Sequence, residues 1–342
     1  MRAVRFDATS GDVGVVDVPR ARPAAGEVLV RVAATAVGRL DLDVISGRVP
    51  THVPGRTEIV PGHEVAGRVA APGAGVDGWP LNRRVVVHPI VSSRSAEHVL
   101  GLDRDGGWAA YVAVPSSRLV PLPTSISFEH AAVLPSTVAT PWSALTGPAG
   151  PRPGDSLGVW GIGGLGAHAV QLGRLIGAAP VVAVDPRAAA RDLAIAAGAD
   201  VVLEPGSETF GAELAAAAPG GVDVALEASG DPAAGAQALE VLGRNGRLIL
   251  LAMTGMSLTI DDHTALGSRR RQVVGHFGSR VDDLANLVRL TALGRIDLSR
   301  SVASVYSLDE SMNAVDTALR NWPTTGRLVL RPEAAPPRFP SA

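Results

Sequence analysis

The chain has 342 residues, 46% of them hydrophobic and 19% charged, with a formal net charge of −2. That length exceeds one typical core and allows two domains, and the composition is that of a globular chain, not a disordered one. Cysteine and lysine are both absent, which excludes disulfides, thiolate metal ligands, a thiol nucleophile, a Schiff-base lysine and a P-loop lysine.

No apolar run reaches the length of a membrane span. The basic block SRRRQ (residues 268–272) is too small to support nucleic-acid binding. The N-terminus alternates apolar and polar residues like a strand and lacks the apolar core of a signal peptide. The expectation is a cytoplasmic protein acting on a small molecule, with no membrane or nucleic-acid partner.

The first third reads as short β-type runs, GEVLVRVAATAV, EVAGRVAAPG, RRVVVHPIV and WAAYVAVP, separated by Gly, Pro and Asp turns. A partly open barrel or irregular antiparallel sheet fits that pattern. Within it, IVPGHEVAGRV carries a Gly-His-Glu triplet of the kind found at metal sites, in a chain without thiolate partners. A Pro/Gly-rich piece from Gly147 to Gly154 reads as a connector. From Ser156 onward, buried strands alternate with helical stretches, through SLGVWG, GLGAHAVQLGRLIGA, PVVAVD and PRAAARDLAIAAGA to DVVLEP, GVDVALEAS, NGRLILLA and QVVGHFG. This alternation predicts a doubly wound parallel sheet. The segment from Ser301 to Pro332 reads as strand, helix, strand, and the Pro/Ala-rich tail after it is expected to be loose.

The segment GIGGLG (Gly161, Ile162, Gly163, Gly164, Leu165, Gly166) follows a strand and opens a helix inside a βαβ unit. In that context the glycines serve a tight turn at Gly161, close approach of a pyrophosphate at Gly163, and helix–strand packing at Gly166. The helix N-terminus offers free N–H groups and the positive end of its dipole. Asp185 ends the next strand, where an acid bonds the ribose 2′-hydroxyl and repels a 2′-phosphate. NAD(H) is therefore favoured. Arg187 close by tempers this and leaves NADP(H) open.

These segments, in order with PGHEVAGRV, DGGWAAYVAVP, TPWSAL, DVALEASG, GRLILLAM and TGRLVL, resemble the medium-chain dehydrogenase/reductase superfamily, the alcohol-dehydrogenase-like proteins, over nearly the whole length. The resemblance implies an α/β protein with a GroES-like β-rich catalytic domain (1–138 and 291–342) and a Rossmann doubly wound parallel-sheet domain (139–290). It also implies an active site in the cleft between them, and a homodimer or homotetramer formed through the edge GRLILLAMTGMSLTI. Zinc-dependent members carry a Cys ligand where this chain has Gly38, a proton-relay hydroxyl where it has Leu40, and a third ligand where it has Ser136. The second ligand matches His63, with Glu64 beside it. The lobe PIVSSRSAEHVLGLDRDGG has no cysteine for a structural zinc. No metal is therefore expected, since zinc needs three or four N, S or O ligands.

Asp41 matches the acid that supports the histidine in zinc relatives. Without the metal, Asp41 and His63 form a proton donor or acceptor pair on one reading, and a hydrogen-bonded fold element on the other. Ser136 and Thr137 are candidate donors to an oxyanion. By the same resemblance, Arg39 and Arg327 match positions facing the cofactor phosphates, with pairing to Glu64 an equal alternative for Arg327. His88, Trp108, Trp142 and Phe277 are candidates for the substrate pocket. For His88 a structural role competes, and for Trp108 the core reading is preferred. The function implied is a zinc-independent NAD(P)(H)-dependent oxidoreductase acting on an activated C=C, C=O or C=N bond. The alternative is a dinucleotide-binding relative with non-redox chemistry, or a sensor or inactive role.

Overall fold

The computed structural model describes residues 1–51, 53, 55–92, 97–252, 255, 257–320 and 326–332. Residues 93–96 of the lobe PIVSSRSAEHVLGLDRDGG, part of the expected dimer edge (Met253, Thr254, Met256) and the tail from residue 333 lie outside them. The chain forms two compact units, Met1–Ser136 with Arg280–Ala342, and Thr137–Ser279.

The first unit opens with β1 (Arg2–Asp7), β2 (Val13–Asp17), β3 (Glu27–Val37), α1 (Arg39–Ile45), β4 (Glu58–Ile59) and β5 (Glu64–Pro72). It continues with β6 (Arg84–Val87), β7 (Ile90–Ser92), β8 (Glu97–Val99), β9 (Tyr111–Pro115), β10 (Leu119–Pro121) and α2 (Phe128–Val133). β3 is the organising strand. Along one edge it pairs antiparallel with β5; along the other its N-terminal half pairs with β9. Valines at alternating positions, Val28, Val30 and Val32 of β3 with Val85 and Val87 of β6 and Val112 and Val114 of β9, meet in one core. Branched side chains suit a pleated, buried surface.

The second unit holds α3 (Ala139–Thr146), β11 (Leu157–Trp160), α4 (Gly164–Ile176), β12 (Val181–Val184), α5 (Ala188–Ala197), β13 (Val201–Leu203) and α6 (Phe210–Ala217). After these come β14 (Val222–Glu227), α7 (Pro232–Glu240), β15 (Leu242–Leu250), α8 (His263–Ser268) and β16 (Gln272–Gly275). The sheet order is β13-β12-β11-β14-β15-β16, every pairing parallel. That is the order of a dinucleotide-binding doubly wound sheet, with the reversal between β11 and β14.

The chain then returns to the first unit through α9 (Val281–Ala292), β17 (Val302–Ser307), α10 (Ser311–Arg320) and β18 (Arg327–Arg331). β18 inserts between β3 and β17, so the last strand is interior to a sheet begun by the third. The sequence reading assigned residues up to 290 to the parallel-sheet unit. The structure gives α9 to the first unit, where it packs against β10. No described helix is long and apolar enough to cross a membrane.

One ion pair ties this sheet across β3. Glu64, the first residue of β5, is fully buried and lies 3.5 Å from the Nε of Arg327, the first residue of β18. Glu64 stands opposite Ala36, and Leu328 opposite Val37. Removing one member of such a pair costs on the order of 3 kcal/mol, because the other stays out of water. Arg327→Met should therefore destabilise the first unit by about that amount, with faster amide hydrogen exchange in β18 and β3 but not in β11–β14. Unchanged exchange in β18 would show that the pair does not hold the sheet.

Candidate active site

β3 ends at Val37 and the backbone turns at Gly38 into α1. Asp41, in the first turn of this helix, is 1% exposed and gathers three donors. Its Oδ2 accepts the Gly38 N–H at 2.8 Å, and its Oδ1 accepts the Gly62 N–H at 3.0 Å and lies 3.0 Å from His63 Nδ1. The carboxylate thus caps its own helix and staples the turn before β5 to it. Gly62 has φ +105°, and a Cβ there would stand 2.3 Å from Trp108 Cδ1. Only glycine fits this turn.

His63 is buried. Burial is the largest influence on its ring and works against the charge. The negative charge of Asp41, its hydrogen bond to Nδ1 and the charge of Glu64 together outweigh burial and the opposing Arg327, and the pKa rises above the ordinary 6.5. With Nδ1 held by Asp41, Nε2 is the atom left to exchange a proton. The ring lies directly over Gly38. A Cβ at that position would meet His63 Cε1 at 2.5 Å, Asp41 Oδ2 at 3.1 Å and His63 Nε2 at 3.2 Å. The space a ligand side chain at position 38 would need is filled by the histidine.

This donor set does not meet zinc's requirements. The chain has no thiolate, position 38 offers no side chain, and among the described residues no three His, Asp or Glu side chains are grouped to hold a metal. Ser136 and Thr137 are adjacent on a π-helical turn, Leu134–Val138, a feature often found at functional sites.

The other sequence candidates of the first unit divide. Arg39 is largely exposed and its Nε lies 3.3 Å from Asp43. Arg327 meets Glu64, the structural member of its two alternatives. His88 is buried, with Nδ1 3.1 Å from the Ile90 carbonyl. Trp108 corrects the pocket assignment. It is completely enclosed in the core, its indole N–H donates to the Ala36 carbonyl at 3.3 Å, and its backbone N–H donates to the Pro61 carbonyl at 3.0 Å. It buttresses the turn that carries His63, which the sequence alone could not show.

In the second unit Gly161 has φ +86°, and a Cβ there would strike the Ser229 backbone at 2.6 Å. At Gly166 it would lie 2.0 Å from the Gly161 carbonyl oxygen. At Gly163 it would meet nothing within 4 Å. Two glycines are thus fixed by packing, while the middle one faces open space at the N-terminus of α4. That end has no side-chain cap, and its N–H groups suit a phosphate. The cradle fits a dinucleotide. Ile162, Gly164 and Leu165 complete the loop, and the Ile162 N–H donates to Asp185 at 2.8 Å. Asp185 is 1% exposed and is gripped by Arg187. Burial pushes its pKa up, but the hydrogen bonds from Arg187 and Ile162 outweigh burial and hold it below the ordinary carboxylate value.

Trp142, on α3, is half-buried, and Phe277, just after β16, is 45% exposed. Glu227 is a residue to which sequence reasoning gave no role. It ends β14, and its Oε1 accepts the N–H groups of Ser229 and Gly230, at 2.6 and 2.9 Å, and the Ser229 hydroxyl. It thereby fixes the backbone that Gly161 packs against. An acid closing a buried strand just before Ser-Gly is the signal that could have revealed it.

Comparison with known proteins agrees with both halves. The alcohol dehydrogenase GroES-like domain matches residues 24–124, and the zinc-binding dehydrogenase family matches residues 164–292. The chain is 31% identical to the L-threonine 3-dehydrogenase of Pyrococcus horikoshii over 85% of this chain and 86% of that one. An NAD-dependent alcohol dehydrogenase of Sulfurisphaera tokodaii is 27% identical over 97% of this chain and 100% of its own length. Among solved structures, a thermostable alcohol dehydrogenase from Pyrobaculum aerophilum superposes with a TM-score of 0.84 at 31% identity, over 97% of this chain and 99% of that one. With a β-rich GroES-like unit, a Rossmann sheet in the dinucleotide-binding order and these relatives, the chain belongs to the alcohol-dehydrogenase-like oxidoreductases of the medium-chain dehydrogenase/reductase superfamily.

Proposed function

We propose that the chain is a zinc-independent oxidoreductase that uses a nicotinamide dinucleotide to move hydride to or from an activated C=C, C=O or C=N bond of a small organic substrate. One observation carries the proposal: the His63 ring, tied to Asp41, fills the place over Gly38 where a metal ligand would stand. A Lewis acid is then replaced by a proton donor. The name of the Sulfurisphaera tokodaii relative supports NAD(H), and the open Gly163 cradle supports a dinucleotide of either kind.

When bound, the nicotinamide supplies or takes up the hydride. Reduction of a carbonyl or imine also needs a proton at the oxygen or nitrogen as charge develops there. His63 delivers it from Nε2, and Asp41 holds the ring in the tautomer that leaves Nε2 as the exchanging atom. Ser136 and Thr137 remain the candidate donors to a developing oxyanion. Conjugated C=C bonds need less help, because the substrate itself delocalises the charge.

Purified protein mixed with NADH or NADPH and a panel of enones, quinones, aldehydes and imines should oxidise the cofactor, followed by absorbance. Cofactor binding without oxidation across the panel would favour a non-redox role instead. Elemental analysis should find no stoichiometric zinc; a full equivalent would overturn the metal-free reading.

His63→Ala should lower kcat for carbonyl reduction by about 10²- to 10⁴-fold and leave dinucleotide affinity intact. The acid form of His63 is the active one in this direction, so wild-type reduction should fall as pH rises through a pKa above 6.5. A flat profile there, or unchanged turnover in the variant, would sink the assignment. For the cradle, Gly163→Ala should fold like the wild type but bind dinucleotide at least tenfold more weakly. Gly166→Ala should lose thermal stability, since its Cβ must displace the Gly161 carbonyl. Equal stability of the two variants would contradict this division.

A further inference from the structure

The acid expected to receive the ribose is already saturated. Oδ1 of Asp185 accepts the Arg187 backbone N–H at 2.9 Å and Arg187 Nε at 3.0 Å. Oδ2 accepts the Ile162 N–H at 2.8 Å and Arg187 Nη2 at 2.9 Å. A carboxylate has about four acceptor sites, and these four bonds fill them. Two come from backbone fixed by the glycine loop and the turn after β12. The other two are a bidentate guanidinium fork, among the stronger hydrogen-bonded pairs in proteins.

A ribose 2′-hydroxyl can bond Asp185 only by displacing that fork. The charge of Asp185, the reason to expect rejection of a 2′-phosphate, is meanwhile neutralised by the cation in contact with it. Arg187 is spent only on its inner side. Its Nη2 also donates to the Ile162 carbonyl at 3.2 Å, while no described residue accepts from Nη1, and the side chain is 46% exposed. Arg191 brings a second guanidinium to the same turn, bonded to the Asp185 and Pro186 carbonyls at 2.9 Å and offset by Glu204 at 3.0 Å.

We infer that Arg187 is the residue that sets cofactor choice in this chain: lodged on Asp185, it withdraws the acid from the ribose hydroxyl and offers its outer N–H groups to a 2′-phosphate, so that NADP(H) binds at least as tightly as NAD(H). The inference rests on the dinucleotide reading above and reverses the preference that Asp185 alone suggests.

Calorimetric titration with NADPH and NADH tests it without turnover, with 2′,5′-ADP and 5′-AMP as probes of the adenosine end alone. In the wild type, the Kd for NADPH should be equal to or below that for NADH, and 2′,5′-ADP should bind more tightly than 5′-AMP. Arg187→Ala should weaken NADPH at least tenfold and leave NADH unchanged or tighter, as Asp185 becomes free for the ribose. Tenfold tighter wild-type binding of NADH than of NADPH overturns the inference, and needs no variant. An unchanged NADPH/NADH ratio in Arg187→Ala overturns it too. Binding of neither dinucleotide removes the proposed function and this inference together, whereas binding of NADH alone removes only the inference.

Discussion

The geometry around His63 depends on the carboxylate of Asp41. It joins three pieces of chain that share no strand: the end of β3 through the Gly38 N–H, the helix α1 on which it sits, and the Gly62–His63 turn. From the other side the turn is clamped by backbone bonds: Gly106 N–H to the Val60 carbonyl, Gly107 N–H to Gly62 and Trp108 N–H to Pro61. Held on both sides, the turn sets where the His63 ring lies. That place is over a residue with no side chain, and the raised pKa of His63 follows from the same contact with Asp41.

Asp185 repeats the device in the second unit. There too a nearly inaccessible carboxylate follows a β-element and accepts a backbone N–H from a glycine-bearing loop, Ile162 in place of Gly62. What differs is the side-chain partner. Asp41 meets an imidazole, a group that can gain or lose a proton in the neutral range, and this is what the proposed proton transfer uses. Asp185 meets a guanidinium, which stays charged, and the pair is the basis of the inferred cofactor choice. One structural solution thus recurs with side-chain partners that differ in their acid–base range and in the geometry of their donors.

The parallel sheet and the glycine loop were legible because their signals are local. Strand–helix alternation, and the steric need for glycine at Gly161 and Gly166, are written within about twenty residues, in the βαβ context that makes the motif informative. The Asp41–His63 pair was legible through resemblance and through the chemistry of the two side chains. What the sequence could not give depends on pairing between distant segments. Trp108 is favoured as core in the sequence, but nothing there reveals that its indole reaches the Ala36 carbonyl. The membership of α9 follows from its packing on β10, which no periodicity encodes. Asp185 and Arg187 are two residues apart and plainly visible, yet only the fold shows that the guanidinium turns back and, with the backbone N–H groups of Ile162 and Arg187, fills every acceptor site of the acid.

The same geometry decides what a single reversion could restore. A cysteine placed at position 38 would set its Cβ 2.5 Å from His63 Cε1, well inside van der Waals contact. The ring cannot retreat freely, because Nδ1 is bound to Asp41 and the backbone of the turn is bonded to the Gly106–Trp108 segment. Relief would require turning the imidazole off Asp41, which breaks the buried hydrogen bond between them. Even then the shell would hold only one thiolate and one imidazole, short of the three or four ligands zinc requires. Gly38 and the position of His63 are therefore conditions of each other. The departure from the zinc pattern is a property of the folded turn as a whole, and no one residue replaced alone would undo it.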